Sequence, residues 1–142
     1  MKTFHQFHDG FCNGLRIEGK SVAFFLETYA RERFVLLAAG VSALSCDDVW
    51  EGNIIFDVVI RSVEEIGADD IREVYRLDSS EQADLQAHRA LAKAKENASS
   101  FLAISPSYGA CALTLADSFT LMSESEWLAR LPNAKTAPRC ED

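Results

Sequence analysis

The chain has 142 residues, 48% hydrophobic and 25% charged, with a formal net charge of −8. That length and balance suit one ordinary folded domain and exclude a disordered or fibrous chain. The negative field disfavours nucleic acid and anionic membranes as partners, although a local basic patch is compatible with it, and no apolar run approaches the ~20 residues that span a bilayer.

In chain order, the first feature is a polar cluster, His5-x-x-His8-Asp9-Gly10, whose Asp-Gly pair predicts a turn before the first strand. From Gly14 to Ile60 the pattern is that of strands and tight turns. Leu15–Glu18 and Ser21–Thr28 flank Gly19-Lys20 as a hairpin, and a turn over Tyr29–Glu32 leads to Arg33–Ala39, closed by Gly40. After a turn at Trp50-Glu51-Gly52-Asn53, Ile54, Phe56, Val58 and Ile60 alternate with Ile55, Asp57, Val59 and Arg61, and the first set is the expected core face. The second and third strands are apolar on both faces, so a helix, a second layer or another subunit must cover them.

Residues 69–77 fit a short helix or an edge strand, and periodicity does not separate the two. Ser80 as N-cap, Glu81 and Asp84 in the first turn and Lys93 and Lys95 in the last predict a helix near 81–98. Its stripe of Ala83, Ala87, Ala90, Leu91, Ala94 and Ala98 suits close packing on a sheet. Three short strands are expected near Phe101–Ile104, Ala110–Leu115 and Phe119–Met122, separated by turns at Ser105–Gly109 and Ala116–Ser118. Ser123 with Glu126 three residues on predicts a short C-terminal helix stopped by Pro132. The expected fold is α+β: a mainly antiparallel sheet of about six or seven strands, one principal helix near 81–98 and that short final helix. Residues 1–132 form the single domain and 133–142 a tail.

Cys12, Cys46, Cys111 and Cys140 are scattered, without a Cys-x-x-Cys pair or zinc-finger spacing, so no structural zinc is expected. The opening residues lack the apolar run of a secretory signal, and reduced thiols in a cytoplasm are the expectation.

His5, His8 and Asp9 are the residue types that bind a transition metal or exchange protons near neutral pH. Against that stands the reading in which Asp9-Gly10 is a turn and the histidines pack locally, and no metal or cofactor is expected on so sparse a ligand set. His8 activating Cys12 as a nucleophile would need a third group to orient the base, and the sequence identifies none. His88, one helical turn after Asp84, suits a solvated ion pair. Ser107 and Tyr108, in a Pro- and Gly-bounded turn, and Trp50, Glu51 and Asn53, at another, are candidate recognition residues. Glu64, Glu65, Asp69 and Asp70 crowd one acidic stretch able to steer a basic partner. No Walker loop, dinucleotide fingerprint, Ser-His-Asp order or paired-carboxylate motif occurs.

Phe7-His8-Asp9-Gly10 followed by a Gly-led strand, and Glu51-Gly52-Asn53-Ile54-Ile55, resemble segments of small uncharacterised bacterial proteins that open with His-Asp-Gly. The resemblance covers about the first 60 residues and rests on turn motifs; it brings no assigned reaction or catalytic residue. Small size, acidity and a sheet-rich body also resemble immunity-type proteins of bacterial toxin systems. The leading expectation is a non-catalytic binding or interaction protein recognising a basic protein. Second is a small metal-dependent hydrolase using His5, His8 and Asp9, and third a self-associating protein, such as a homodimer, joined through its sheet.

Overall fold

Among the described residues seven strands, β1 (Lys2–Thr3), β2 (Phe11–Glu18), β3 (Ser21–Glu27), β4 (Arg33–Asp47), β5 (Asn53–Ser62), β6 (Ser100–Tyr108) and β7 (Cys111–Ser123), pair antiparallel in one sheet. Three α-helices among the described residues accompany them: α1 (Ala68–Tyr75), α2 (Glu81–Glu96) and α3 (Glu124–Arg130). The structure, a computed structural model, describes residues 1–47, 53–108 and 111–132. Trp50, Glu51 and the 133–142 tail lie outside the described residues, as does the side chain of Tyr108.

The strand order is β1-β5-β2-β3-β4-β7-β6, with a further β5–β6 pairing. Because β5 pairs with β2 and β1 as well as with β6, the six strands β2 to β7 close into a ring and β1 continues one seam. Closure explains the doubly apolar strands. Val22, Phe24 and Leu26 of β3 and Leu36 and Ala38 of β4 fill the inside, with Ile55, Val58, Leu102 and Ile104 from the opposite wall. Phe4, just before a 3-10 turn at His5–Phe7, and Phe7, its last residue, join this inner core, with the Phe7 ring edge-on to Phe34 at 5.6 Å.

The outer face is covered in two places. α1 and α2 bury Ile71, Val74, Ala87 and Ala94 against Phe101, Leu113 and Leu115. α3 sets Trp127 edge-on to Phe25 at 5.2 Å, over Ala23, Val35 and Met122. Such an aromatic pair contributes about 0.5–1.5 kcal/mol beyond area burial. One apolar face of the second and third predicted strands, Ala23, Phe25, Val35 and Leu37, which a helix, a second layer or another subunit was expected to cover, thus packs with Trp127 of α3.

The predicted helix caps are present. Ser80 Oγ accepts from Ala83 N at 3.1 Å and Ser123 Oγ from Glu126 N at 3.2 Å. Residues 68–75 form a helix, whose start is fixed by Asp70 Oδ2 accepting from Gly67 N at 2.9 Å. The β2–β3 hairpin turns at Gly19-Lys20 with Gly19 at φ +58°, where a two-residue hairpin favours glycine.

Four expectations are corrected. Gly40 does not close its strand: at φ +65° it lies within β4, which passes a bulge between Val41 and Ala43 and runs on to Asp47. The core face of β5 is reversed at its start: Ile55 is 1% exposed, whereas Ile54 and Phe56 are 36% and 52% exposed. Phe56 has no partner across β6, and this extra residue shifts the alternation so that Val58 returns inward. The Ala116–Ser118 turn is absent, since β7 is continuous from Cys111 to Ser123 against the full length of β4. Ser105, Pro106 and Ser107 belong to β6 rather than to a turn, with Ser107 bulged between the partners of Ile54 and Ile55.

Candidate functional site

The His5–Gly10 segment is built by its backbone. His8 N donates to His5 O at 3.1 Å, Asp9 N to Ile55 O at 3.0 Å, and Ile55 N to Gly10 O at 2.9 Å. Asp9 sits at φ +59°, a conformation Asp tolerates better than most residues. Gly10 is required because a Cβ there would overlap the Glu27 carbonyl oxygen. The motif is thus a turn clamped between β3 and β5, and both histidines point to solvent.

His8 Nδ1 lies 3.1 Å from Asp9 Oδ2 and its ring 5.5 Å from that of Phe56. Among the described residues no three His, Cys, Asp or Glu side chains come together as a metal-ligand set. Cys12 faces the inner core, and burial raises its thiol above the ordinary value, which opposes thiolate formation. Cys46 is pushed up to about 11, chiefly by burial and then by Cys12, Cys111 and Asp47 nearby. Cys12, Cys46 and Cys111 are free thiols.

The structure brings His8, Asp9, Asn53 and Ser107 to the start of β5. Asn53 is buried opposite Cys12, and Ser107 is exposed across from Ile54 and Ile55. Asp69 and Asp70 stand apart from these on α1.

The acidic stretch is largely engaged within the chain. Glu65 accepts from the terminal amine at 2.7 Å and from Ser62 N at 2.8 Å, which lowers its carboxyl pKa. Asp70 pairs with Arg61 at 2.6 Å while holding the start of α1. Asp69 pairs with Arg72 at 2.5 Å, and Arg72 also reaches Asp84 on α2.

That last link spans a groove of about 760 Å³ between α1 and α2, lined by Asp69, Asp78, Glu81 and Asp84 around Arg72. Leu77 and Leu85 also line it, and Leu85 is 59% exposed. Asp78 accepts from Ser80 N at 2.9 Å; hydrogen bonds from Ser80, side chain first, lower its pKa and keep it anionic. His88, expected to pair with Asp84, has its Nδ1 in a hydrogen bond of 2.8 Å with the Asp84 carbonyl oxygen and 3.6 Å from the carboxylate.

Sequence reasoning missed a second polar cluster. Glu27, almost fully buried, receives Arg31 at 2.9 Å and Asn13 at 3.0 Å, with Arg33 at 3.7 Å. The Arg31 guanidinium also lies over the Phe11 ring at 4.4 Å. Two arginines, Arg31 in the β3–β4 turn and Arg33 at the start of β4, were the available signal.

The fold and these sites define a class, an α+β domain on a closed antiparallel sheet with a helical pair outside it. The chain matches no protein-family model, no curated protein and no solved structure. No helix among the described residues is long and apolar enough to cross a membrane.

Proposed function

We propose that the chain is a non-catalytic binding protein whose α1–α2 groove takes a basic, partly apolar segment of a protein partner. The observation that carries the reading is the groove itself, four carboxylates around one guanidinium with an exposed leucine on the wall. Carboxylates at the rim would steer a cationic segment, and Leu85 and Leu77 would bury its apolar side chains. Neutralising a basic partner is also what the likeness to immunity-type proteins of bacteria implies.

The hydrolase alternative has less support, because His8 and Asp9 adjoin each other but no third ligand among the described residues joins them. Self-association has lost its main argument, since α3 covers the apolar sheet face.

The test is a titration of the labelled protein with a lysine- and leucine-rich helical peptide, followed by amide chemical shifts. Shifts confined to residues 69–85, weakened at least about threefold by Asp69→Asn with Glu81→Gln and further by salt, are expected. Salt-insensitive peptide binding, or tighter binding to DNA or RNA at physiological salt, overturns the proposal.

A further inference from the structure

Most arginines of this acidic chain are occupied. Arg16, Arg31, Arg33, Arg61, Arg72 and Arg76 each face a carboxylate. Lys20, Arg89 and Lys93 make no ion pair or side-chain hydrogen bond among the described residues, and all three line one cleft of about 640 Å³ between α2 and the sheet.

Both walls of the cleft are built by local sequence. On α2, Gln86, Arg89, Lys93 and Asn97 follow at i, i+3, i+7 and i+11, so they run along one edge of the helix and its C-cap. Opposite them is the β4 bulge. Val41 pairs with Ala116 and Ala43 with Leu115, leaving Ser42 as the extra residue, pushed to the surface. Val41 N donates to Lys20 O at 2.8 Å, which ties the hairpin turn carrying Lys20 to the bulge. Ala90, Ala94 and Leu115 supply an apolar floor.

One carboxylate, Asp117, also lines the cleft, and its side chain packs against Cα of Gly40. Three cations against one anion leave the cleft positive inside a molecule of net charge −8. Complementing the helix dipole accounts for Lys93, in the last turn of α2, but not for Arg89 or for Lys20 on a different element.

We propose that this cleft binds a small phosphorylated organic molecule carrying at least two negative charges. The guanidinium fork of Arg89 and the ammonium groups of Lys20 and Lys93 suit phosphate oxygens. Ser42, Gln86 and Asn97 offer hydrogen bonds to the organic body, and the apolar floor offers it a surface. The volume falls within the range of roughly 300–1,000 Å³ typical of small-ligand sites. The site is separate from the α1–α2 groove, so the failure of either proposal leaves the other standing.

The test is an amide-shift titration of the full chain with pyrophosphate, ATP and adenosine as probes. Pyrophosphate and ATP are expected to shift residues 40–42 and 86–97, ATP more strongly because its organic body adds contacts, and adenosine alone to shift them little; equal affinity for the two anions would overturn the binding of an organic body. Arg89→Glu and Lys20→Glu, exposed changes on two different elements, should each weaken binding at least about tenfold. Lys95→Glu, on the same helix outside the cleft, should change it less than about twofold. No shifts from either anion at millimolar concentration, wild-type affinity in both cleft variants, or an equal loss in Lys95→Glu overturns the proposal.

Discussion

Replacing Gly10 by alanine tests whether the His-Asp-Gly motif is a structural clamp. A Cβ at Gly10 would overlap the Glu27 carbonyl oxygen and lie 3.0 Å from Phe7 O and 3.3 Å from the Glu27 carbonyl carbon. Relief of the overlap needs a shift of about 1 Å, judged against ordinary C···O contacts of ~3.3 Å. All three obstacles are backbone, so no side chain can rotate away. Overpacking of this kind costs about 1–3 kcal/mol. The same shift strains the bonds Gly10 N to Phe7 O and Ile55 N to Gly10 O, both 2.9 Å, each contributing about 0.5–1.5 kcal/mol. The expected loss is about 3 kcal/mol, or a fall in Tm of roughly 10 °C for a domain of this size. Urea denaturation and thermal melts followed by circular dichroism measure it. Gly19→Ala is the control, because Gly19 has positive φ but nothing within 4 Å of its missing Cβ. It should lose only the conformational strain of about 1–2 kcal/mol. If Gly10→Ala loses no more than Gly19→Ala, the clamp argument is wrong.

Glu27 should govern part of the acid limb of stability. Its pKa is lowered from 4.5 by the hydrogen bond from Arg31, then by Asn13 and the charges of Arg31 and Arg33, against an opposing push from burial. A lowered folded pKa means the stabilisation is fully present above 4.5 and is lost as pH falls through the folded value. Glu27→Gln should therefore flatten the urea-midpoint profile below pH 4.5, and a profile parallel to that of the parent would refute this. Thr114 is fully buried and its hydroxyl has no hydrogen-bond partner in the structure. Thr114→Val should stabilise the chain by about 1 kcal/mol, raising Tm by roughly 2–4 °C; a lower Tm would show that the hydroxyl is satisfied.

Local signals written in adjacent residues were legible in the sequence. Ser80 and Ser123 start the helices they were expected to start, and Gly19-Lys20 turns the predicted hairpin. The Asp9-Gly10 turn was legible too, though its reason was not, because the Glu27 carbonyl that excludes a side chain there lies on another strand. What tertiary structure decided was phase and closure. One extra residue in a strand, Phe56 on β5 or Ser42 on β4, shifts or interrupts the alternation that follows, and no propensity marks such a residue in advance. Whether 69–77 would be helix or strand was settled by burial of Ile71 and Val74 against the outside of the sheet. Ring closure likewise needed the long-range pairing of β5 with β2 and β6; it put one apolar face of β3 and β4 into an inner core and left the other to pack with Trp127 of α3. Charge was the least legible property. Asp70 reads as a free acidic residue until Arg61 and Gly67 meet it, and Lys20 and Arg89 read as unrelated until the β4 bulge brings the hairpin turn beside α2. Charges act through space at short range, and only the folded chain sets those distances.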